Sequence, residues 1–252
     1  MNERKTPTDP DRGDSGSLVP LAVAAIIIVG GLAFLFLYDA RANRFTNAPN
    51  SPFETIALTV EAPVVRDAGI SPDGKSVVFA AGDEMDLDIH VRSIDVELPV
   101  VLASSSALER NPAWSPDGRE IVFTRDHGGS TELVTTSFRG GAERTVVQID
   151  GEVRDLDWSG GSIYYSARSR SDQPWSIESI RIDDRTTRDV TSPTPGRGDH
   201  SLAVSPEGDR IAFAREVSDG ADDLFVRDLT TGEERRLTTD GLPVFGIDWA
   251  GD

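Results

Sequence analysis

The 252-residue chain contains no cysteine, which excludes a disulfide framework, a thiolate metal site and a cysteine nucleophile. Its formal net charge is −18, with five basic and five acidic residues among residues 1–44 and 20 basic against 38 acidic residues from residue 45 onward. A surface this acidic repels phosphate backbones, so the composition argues against nucleic-acid binding and favours cations and basic partners.

The chain begins with residues 1–17, which are rich in Pro, Asp, Gly and Ser and predict a disordered tail. Residues 18–38, from Leu18 to Tyr38, then run for 21 residues without a charge. At about 1.5 Å per residue this length crosses a hydrocarbon core of roughly 30 Å, so we predict a transmembrane helix.

A cleaved signal peptide is the alternative interpretation of this segment, since residues 40–42 (Ala-Arg-Ala) resemble a cleavage site. The apolar run exceeds the ~7 to 15 residues usual for a signal peptide, which favours a retained anchor. Three basic residues precede the segment and two follow it, so the positive-inside bias indicates a cytoplasmic N-terminus and an extracytoplasmic C-terminal domain. Residues 39–53 are interpreted as a linker.

The region 54–252 repeats itself. A short apolar segment ends in each repeat at a Ser-Pro-Asp-Gly-like turn. The last apolar residue before the turn is taken as the marker of the repeat, and the successive markers are Ile70, Trp114, Trp158, Val204 and Trp249. The intervals of 44, 44, 46 and 45 residues are typical of propeller blades. Within the turn, Pro presets φ, Asp bonds local backbone and Gly adopts positive φ, so Asp73 and Asp117 are interpreted as structural rather than catalytic.

Each repeat reads as four short strands with period-two alternation, which predicts half-buried antiparallel sheets. The predicted fold class is all-β, a β-propeller of four-stranded antiparallel blades preceded by one transmembrane α-helix. Four complete repeats and two partial strands are predicted, with blades near 68–102, 112–147, 155–191 and 201–238 and partial strands at 55–60 and 245–249.

The repeat consists of the run Trp-Ser-Pro-Asp-Gly, an apolar strand, a third strand and a closing segment such as Arg235-Arg236-Leu237-Thr238. In this order of features it resembles the TolB-like propeller repeat of the WD-repeat-like superfamily. This resemblance implies a binding or gating module. It also implies six blades, roughly 270 residues at this period, whereas 208 residues follow residue 44. Either the sequence is a truncated product, or four blades and two partial strands form an open or unusual arrangement. An open edge would allow self-association.

No catalytic motif is found, so we expect no enzymatic activity and no cofactor. The three histidines, His90, His127 and His200, are too scattered for a metal site. The acidic loops 82–88 and 218–223 follow the second strand of blades one and four. Their oxygens leave a calcium ion open as an alternative, but solvated charge is the favoured interpretation.

Propeller loops that lead into the first strand of each blade surround one mouth of the central channel, and loops on a rigid scaffold commonly carry binding. The residues predicted there as partner-binding candidates are Arg110, Asn111, Arg154, Asp155, Asp199, His200 and Phe245. The sequence therefore favours a membrane-anchored, extracytoplasmic, non-enzymatic module that binds a protein or peptide. Two alternatives remain open, the propeller portion of an enzyme whose peptidase or hydrolase domain is absent, and the sensory domain of a membrane-bound signalling protein.

Overall fold

Within residues 62–96 and 98–249, which the computed structural model describes, the chain forms sixteen β-strands and no helix. The strands are β1 (Val64–Ile70), β2 (Ser76–Asp83), β3 (Asp86–Ser93), β4 (Val100–Ala103), β5 (Leu108–Trp114), β6 (Glu120–Asp126), β7 (Ser130–Ser137), β8 (Arg144–Asp150), β9 (Glu152–Ser159), β10 (Ser162–Arg168), β11 (Ser176–Arg181), β12 (Thr187–Asp189), β13 (Asp199–Val204), β14 (Arg210–Ser218), β15 (Ala221–Asp228) and β16 (Glu234–Arg236).

Each run of four consecutive strands forms one antiparallel sheet in sequence order, and these sheets are called blades 1 to 4. The predicted four-stranded antiparallel blades are thereby confirmed. The first strands β1, β5, β9 and β13 are called the inner strands. The predicted transmembrane helix 18–38 and partial strand 55–60 lie outside the described residues, in which no helix long and apolar enough to cross a membrane is found.

The hydrophobic core lies between successive blades. Alternating residues of each second strand point to opposite faces, so in β2 Val78 packs towards Trp114 and Phe123 of blade 2, whereas Phe79 faces the other side. Comparable clusters join blades 2 and 3 through Trp158 and blades 3 and 4 through Val204. The core is thus a series of interfaces rather than one central mass, as the radial repetition of a propeller requires.

The Ser-Pro-Asp-Gly turns close through the serine. Ser115 Oγ donates to Asp117 Oδ1 at 2.7 Å and accepts the backbone N–H groups of Arg119 and Glu120 at 3.1 and 2.9 Å. The bond from Ser115 is the main reason that the pKa of Asp117 is lowered. Asp117 is therefore occupied in holding the turn, which agrees with a structural role.

A strand predicted at 245–249 is absent from the structure. A strand requires a hydrogen-bonded neighbour, and no described strand pairs with this segment. Residues 241–249 are instead held against blade 4 by side chains. The N–H of Gly241 donates to Asp223 Oδ1 at 3.2 Å, the N–H of Val244 donates to Asp222 Oδ2 at 3.0 Å, and Trp249 Nε1 donates to the carbonyl of Ala203 at 2.9 Å. This portion of the chain is called the fifth segment.

Blades 2 and 4 bury an ion pair where blades 1 and 3 have apolar side chains. Glu109 pairs across the sheet with Arg125, and Asp199 pairs with Arg215. The same cross-strand position holds Val65 with Ala81 in blade 1 and Val153 with Ala167 in blade 3. The fold itself therefore does not need a charge at this position.

This alternation predicts the stability of variants of the blade 2 pair. Glu109 is fully buried and its Oε2 has no hydrogen-bond partner, so Arg125→Ala leaves a buried carboxyl without its cation. We expect a loss of about 3 to 5 kcal/mol in the free energy of unfolding, measured in urea. The double variant Glu109→Val with Arg125→Ala, which copies blade 1, should recover most of that loss. A double variant no more stable than the single one would contradict this interpretation.

Candidate functional site

A cavity of about 610 Å³ lies where the inner strands of all four blades converge. The fifth segment completes its wall with residues 244–248. The cavity is therefore the central channel of the propeller, and its lining comes from every repeat of the described chain.

The cavity wall follows the repeat. Counting back four residues from each marker gives equivalent positions of the sequence repeat, which are occupied by Arg66, Arg110, Arg154, His200 and Phe245. Of these, Arg110, Arg154 and Phe245 line the cavity. The next position in each repeat is occupied by Asp67, Asn111, Asp155, Ser201 and Gly246. Asp67, Asn111 and Ser201 have φ of 52°, 51° and 48°, which places them in the left-handed region. Each lies at a shift in strand register, so a β-bulge opens the inner strand beside the channel.

Six of the seven candidate residues lie on the inner strands, near the start of each strand, rather than in the connections where the sequence placed them. The seventh, Phe245, lies in the fifth segment. Five of the seven line the channel cavity, namely Arg110, Asn111, Arg154, Asp155 and Phe245. Asp199 and His200 do not.

Asp199 is fully buried and forms an ion pair with Arg215, whose Nε and Nη2 approach its two carboxylate oxygens at 2.6 and 2.8 Å. Arg215 also stacks on Phe213 and Phe225. The Asp199 carboxylate is therefore not available to a partner, and the prediction that it forms part of a contact surface is corrected. Its position five residues before a marker, equivalent to that of Glu109, gives it a structural role.

His200 is also buried, and both ring nitrogens are occupied within the protein. Nε2 lies 3.1 Å from Asp222 Oδ1 and Nδ1 lies 3.2 Å from Ser201 Oγ. Burial, assisted by the positive charge of Arg154, lowers the pKa of His200, so the neutral imidazole is favoured. Since the other oxygen of Asp222 accepts the N–H of Val244, His200 helps to hold the fifth segment rather than a ligand.

Two aspartates of β9 join blade 3 to blade 4. Asp155 Oδ2 accepts the backbone N–H of Leu202, and Asp157 Oδ2 accepts that of Val204, both at 2.8 Å. Burial raises the pKa of Asp155 to about 7 and also raises that of Asp157. These carboxylates are therefore structural groups in the channel wall as well as part of its lining.

Sequence reasoning missed Asp67, Asp157 and Asp248, which also line the cavity. Asp67 Oδ2 lies 3.3 Å from Nε of Arg110 and accepts the N–H of Asn111 at the same distance. The signal was present in the repeat, because Asp67 is equivalent to Asp155 and Asp248 is equivalent to Asp157.

No metal site is found in the part of the chain that the structure describes, where no cluster of three or more His, Asp or Glu side chains is arranged to hold an ion. In the acidic loop of blade 4, Asp223 is bonded to Arg236 and to the backbone of Gly241, and Asp222 to His200. The sequence offered these two carboxylates as possible ligands of a calcium ion. In the structure they accept backbone N–H groups of the fifth segment instead.

The raised pKa of Asp155 predicts a pH-dependent stability. Between about pH 4 and 7 the folded state retains a proton that the unfolded chain releases, so the contribution of Asp155 to stability falls as pH rises. Relative to the wild type, Asp155→Asn should therefore gain stability from pH 4 to 7 in urea unfolding. Asp184→Asn is the control, because a backbone bond from Thr186 lowers the pKa of that exposed carboxyl. The same slope in both variants would contradict the assignment.

Comparison with known proteins agrees with this architecture. Residues 48–162 match the family model of the TolB beta propeller domain. The Protein TolB homolog of Chlorobium luteolum is 31% identical over 166 residues, an alignment that covers 64% of this chain and 36% of that protein. The chain thus spans little more than a third of the length of that relative.

Two solved structures have the same fold. TolB from Acinetobacter baumannii superposes with a TM-score of 0.61 at 18% identity, over 69% of this chain and 43% of that one. A puromycin-hydrolyzing peptidase of Mycobacterium tuberculosis superposes with a TM-score of 0.60 at 13% identity, over 75% of this chain and 32% of that one. At these identities the likeness establishes the fold alone. The described residues therefore share the fold of these propeller proteins, and residues 48–162 are similar to the TolB beta propeller domain.

Proposed function

We propose that this propeller is a non-enzymatic module that binds a segment of a protein or peptide in its central channel. The observation that carries the proposal is that Phe245, which is 95% exposed, and Arg154, which is also exposed, both line the channel cavity. Among the described residues, Arg154 has no ion-pair partner. Exposed aromatic and arginine side chains in a concave site are common anchors of protein recognition.

The size and rigidity of the channel favour a segment over a whole domain. About 610 Å³ lies within the range of sites for small ligands and short peptide segments. The walls are inner strands fixed by the inter-blade cores and by the bonds of Asp155 and Asp157. A channel held in this way loses little conformational entropy on binding, which favours affinity.

A hydrolytic role receives less support from the local geometry. Ser201, His200 and Asp222 form a hydrogen-bonded chain beside the channel, and a peptidase is among the proteins with this fold. However, the N–H of Leu202, which follows Ser201, already donates to Asp155 and is not free to stabilise an oxyanion. We therefore interpret this chain of bonds as part of the support for the fifth segment.

The proposed location is outside the cytoplasm, with residues 18–38 as a single membrane anchor. The uninterrupted 21-residue apolar run and the basic residues that precede it support this topology. A tethered propeller with a strongly acidic surface would meet basic or neutral partners more readily than acidic ones.

Photo-crosslinking tests the channel proposal. A photoreactive amino acid in place of Phe245 should give discrete protein adducts in cells of the source organism. The same amino acid in place of Met85, which is 85% exposed in the turn between β2 and β3, is the matched control and should give none. Arg154→Ala should reduce the adducts at position 245, because it removes the other exposed side chain that we propose as an anchor in the cavity lining. Equal adducts at both positions would contradict channel binding.

The absence of cysteine allows a direct test of topology. A single cysteine in place of the exposed Met85 should react with a membrane-impermeant maleimide in intact cells whose outer envelope has been permeabilised. A cysteine in place of Ser17, on the other side of the proposed anchor, should react only after lysis. Labelling of Ser17→Cys but not of Met85→Cys in intact cells would reverse the proposed orientation.

A further inference from the structure

Two further cavities lie between blades 3 and 4, away from the channel. One has a volume of about 290 Å³ and the other of about 250 Å³, and Tyr164, Ser179 and Arg188 line both. The two cavities therefore adjoin. Neither shares a lining residue with the channel cavity. Because their walls come mainly from the third and fourth strands of the two blades, this pair of cavities is called the outer groove.

The outer groove concentrates positive charge in a chain whose formal net charge is −18. Among the described residues, its lining contains Arg181, Arg188 and Arg227 and a single acidic residue, Asp189. Neither Arg181 nor Arg188 has an ion-pair partner in the described part of the chain, whereas Arg227 lies 3.6 Å from Glu234. Two exposed guanidinium groups are therefore available to a ligand.

Tyr164, Ser179 and Arg188 form one cross-strand row through β10, β11 and β12. Tyr164 packs against the core between blades 3 and 4, so the row faces blade 4. Burial raises the pKa of Tyr164 and the positive charge of Arg188 opposes that rise, so the hydroxyl and the guanidinium are close enough to interact. Within the described residues the Tyr164 hydroxyl forms no hydrogen bond. It is a free donor beside an unpaired cation.

The acidic residue of the lining belongs to the adjacent row, in which Asp189 is aligned with Glu178 and Tyr165. Adjacent residues of a strand point to opposite faces, and Tyr165 packs against the core between blades 2 and 3. Its hydroxyl donates to Glu178 Oε2 at 3.0 Å. Burial raises the pKa of Tyr165, and the charges of Glu178 and Asp189 add to that rise. The Asp189 carboxylate therefore lies on the face with Tyr165, away from the arginine row.

The corresponding row of blade 1 consists of Val78, Val91 and Val100. A blade of this protein thus forms with three valines at these positions. The two hydroxyl groups and the guanidinium in blade 3 are not required by the fold, and an aromatic hydroxyl at the edge of an apolar interface costs desolvation unless it finds a partner. This comparison favours a ligand over a purely structural role for the row.

Blade 4 contributes further donors to the larger cavity, namely the guanidinium of Arg227 on β15 and the hydroxyls of Thr230 and Thr231 in the turn that follows. A guanidinium group donates two parallel hydrogen bonds to phosphate oxygens, and each hydroxyl can donate one. A carboxylate offers only two oxygens, whereas a phosphate monoester offers three oxygens that carry no ester bond. The set of donors therefore suits a phosphate group better than a carboxylate.

We propose that the outer groove binds the phosphate group of a phosphate monoester. Arg188 provides the main ion pair, Tyr164 and Ser179 donate hydrogen bonds from their hydroxyls, and Arg227 contacts the phosphate from blade 4. Val190 and Leu229 supply the apolar part of the lining for the carbon portion of the ester. The site is separate from the channel and does not rest on the function proposed for it.

The test is a titration of the full chain in detergent with glycerol 3-phosphate, followed by nuclear magnetic resonance. The backbone N–H resonances of Ser179 and Gly232 report on the two walls of the groove. We expect both to shift along one saturable curve, and acetate to bind at least tenfold more weakly. The absence of a saturable shift, or equal affinity for acetate, would overturn the proposal.

Arg188→Val, which introduces the residue of blade 1, should weaken binding about tenfold or more, because it removes a charge-assisted hydrogen bond. Arg235→Val is the matched control, since Arg235 is exposed, occupies the corresponding position of β16 and removes the same charge. It should preserve the affinity. Equal losses in the two variants would indicate a general effect of net charge and would overturn the site. If Arg188→Val does not fold, Arg188→Gln should show the same loss.

A phosphate monoester is either a soluble molecule or a lipid headgroup, and a second titration separates these sources. The full chain is placed in phosphatidylcholine bilayers with and without phosphatidate, in the absence of the soluble ester. Shifts of Ser179 and Gly232 on addition of phosphatidate would support the site and assign the ligand to a headgroup. Shifts with glycerol 3-phosphate alone would support the site and assign the ligand to a soluble ester. Loss of crosslinks at position 245 would leave both results unaffected.

Discussion

The structure depends on side chains that bridge from one blade to the next. Strand ladders join residues only within each four-stranded sheet, so the contacts between sheets come from apolar packing and from a small set of hydrogen bonds. The most informative of these bonds tie a side chain of one repeat to the backbone of the neighbouring repeat. Asp157 holds the N–H of Val204, and the indole of Trp114 donates to the carbonyl of Gly69 at 3.1 Å. Trp249 repeats the indole bond with Ala203, although its own segment forms no strand.

These bonds connect the fold with the proposed binding site. The aspartates that join blade 3 to blade 4 also line the channel, and their burial raises their pKa. In the proposed binding mode, ligand recognition falls to side chains that these bonds do not use, chiefly Arg154 and Phe245.

Much of the fold could be predicted from the sequence because the repeat specifies it. The apolar segments, the serine-closed turns and the 44- to 46-residue intervals predicted four antiparallel blades, and β2, β6, β10 and β14 contain the second strands that the sequence indicated. The segment 245–249 was predicted as a strand because its sequence is that of an inner strand. A segment becomes a strand only when its backbone pairs with a neighbouring strand, and the local sequence pattern does not show whether such a neighbour is present.

The site was less predictable for a similar reason. Channel position could be inferred for Arg110, Arg154 and Phe245, but not the burial of Asp199, which depends on Arg215 from the adjacent strand. Nor did the sequence show which aspartates bridge to a backbone and which retain an unused oxygen. Asp157 and Asp248 occupy equivalent positions of the repeat, but Asp157 also accepts the N–H of Val204, a bond that depends on the neighbouring inner strand.

Amide hydrogen exchange on the full chain tests the central claim most directly, that side chains of blade 4 fix the fifth segment as a wall of the channel. The N–H groups of Gly241 and Val244 donate to Asp223 and Asp222 and should exchange much more slowly than the same amides in an unstructured peptide. Exchange of both at the unstructured rate would mean that the segment is not held against blade 4 and does not form a wall of the channel.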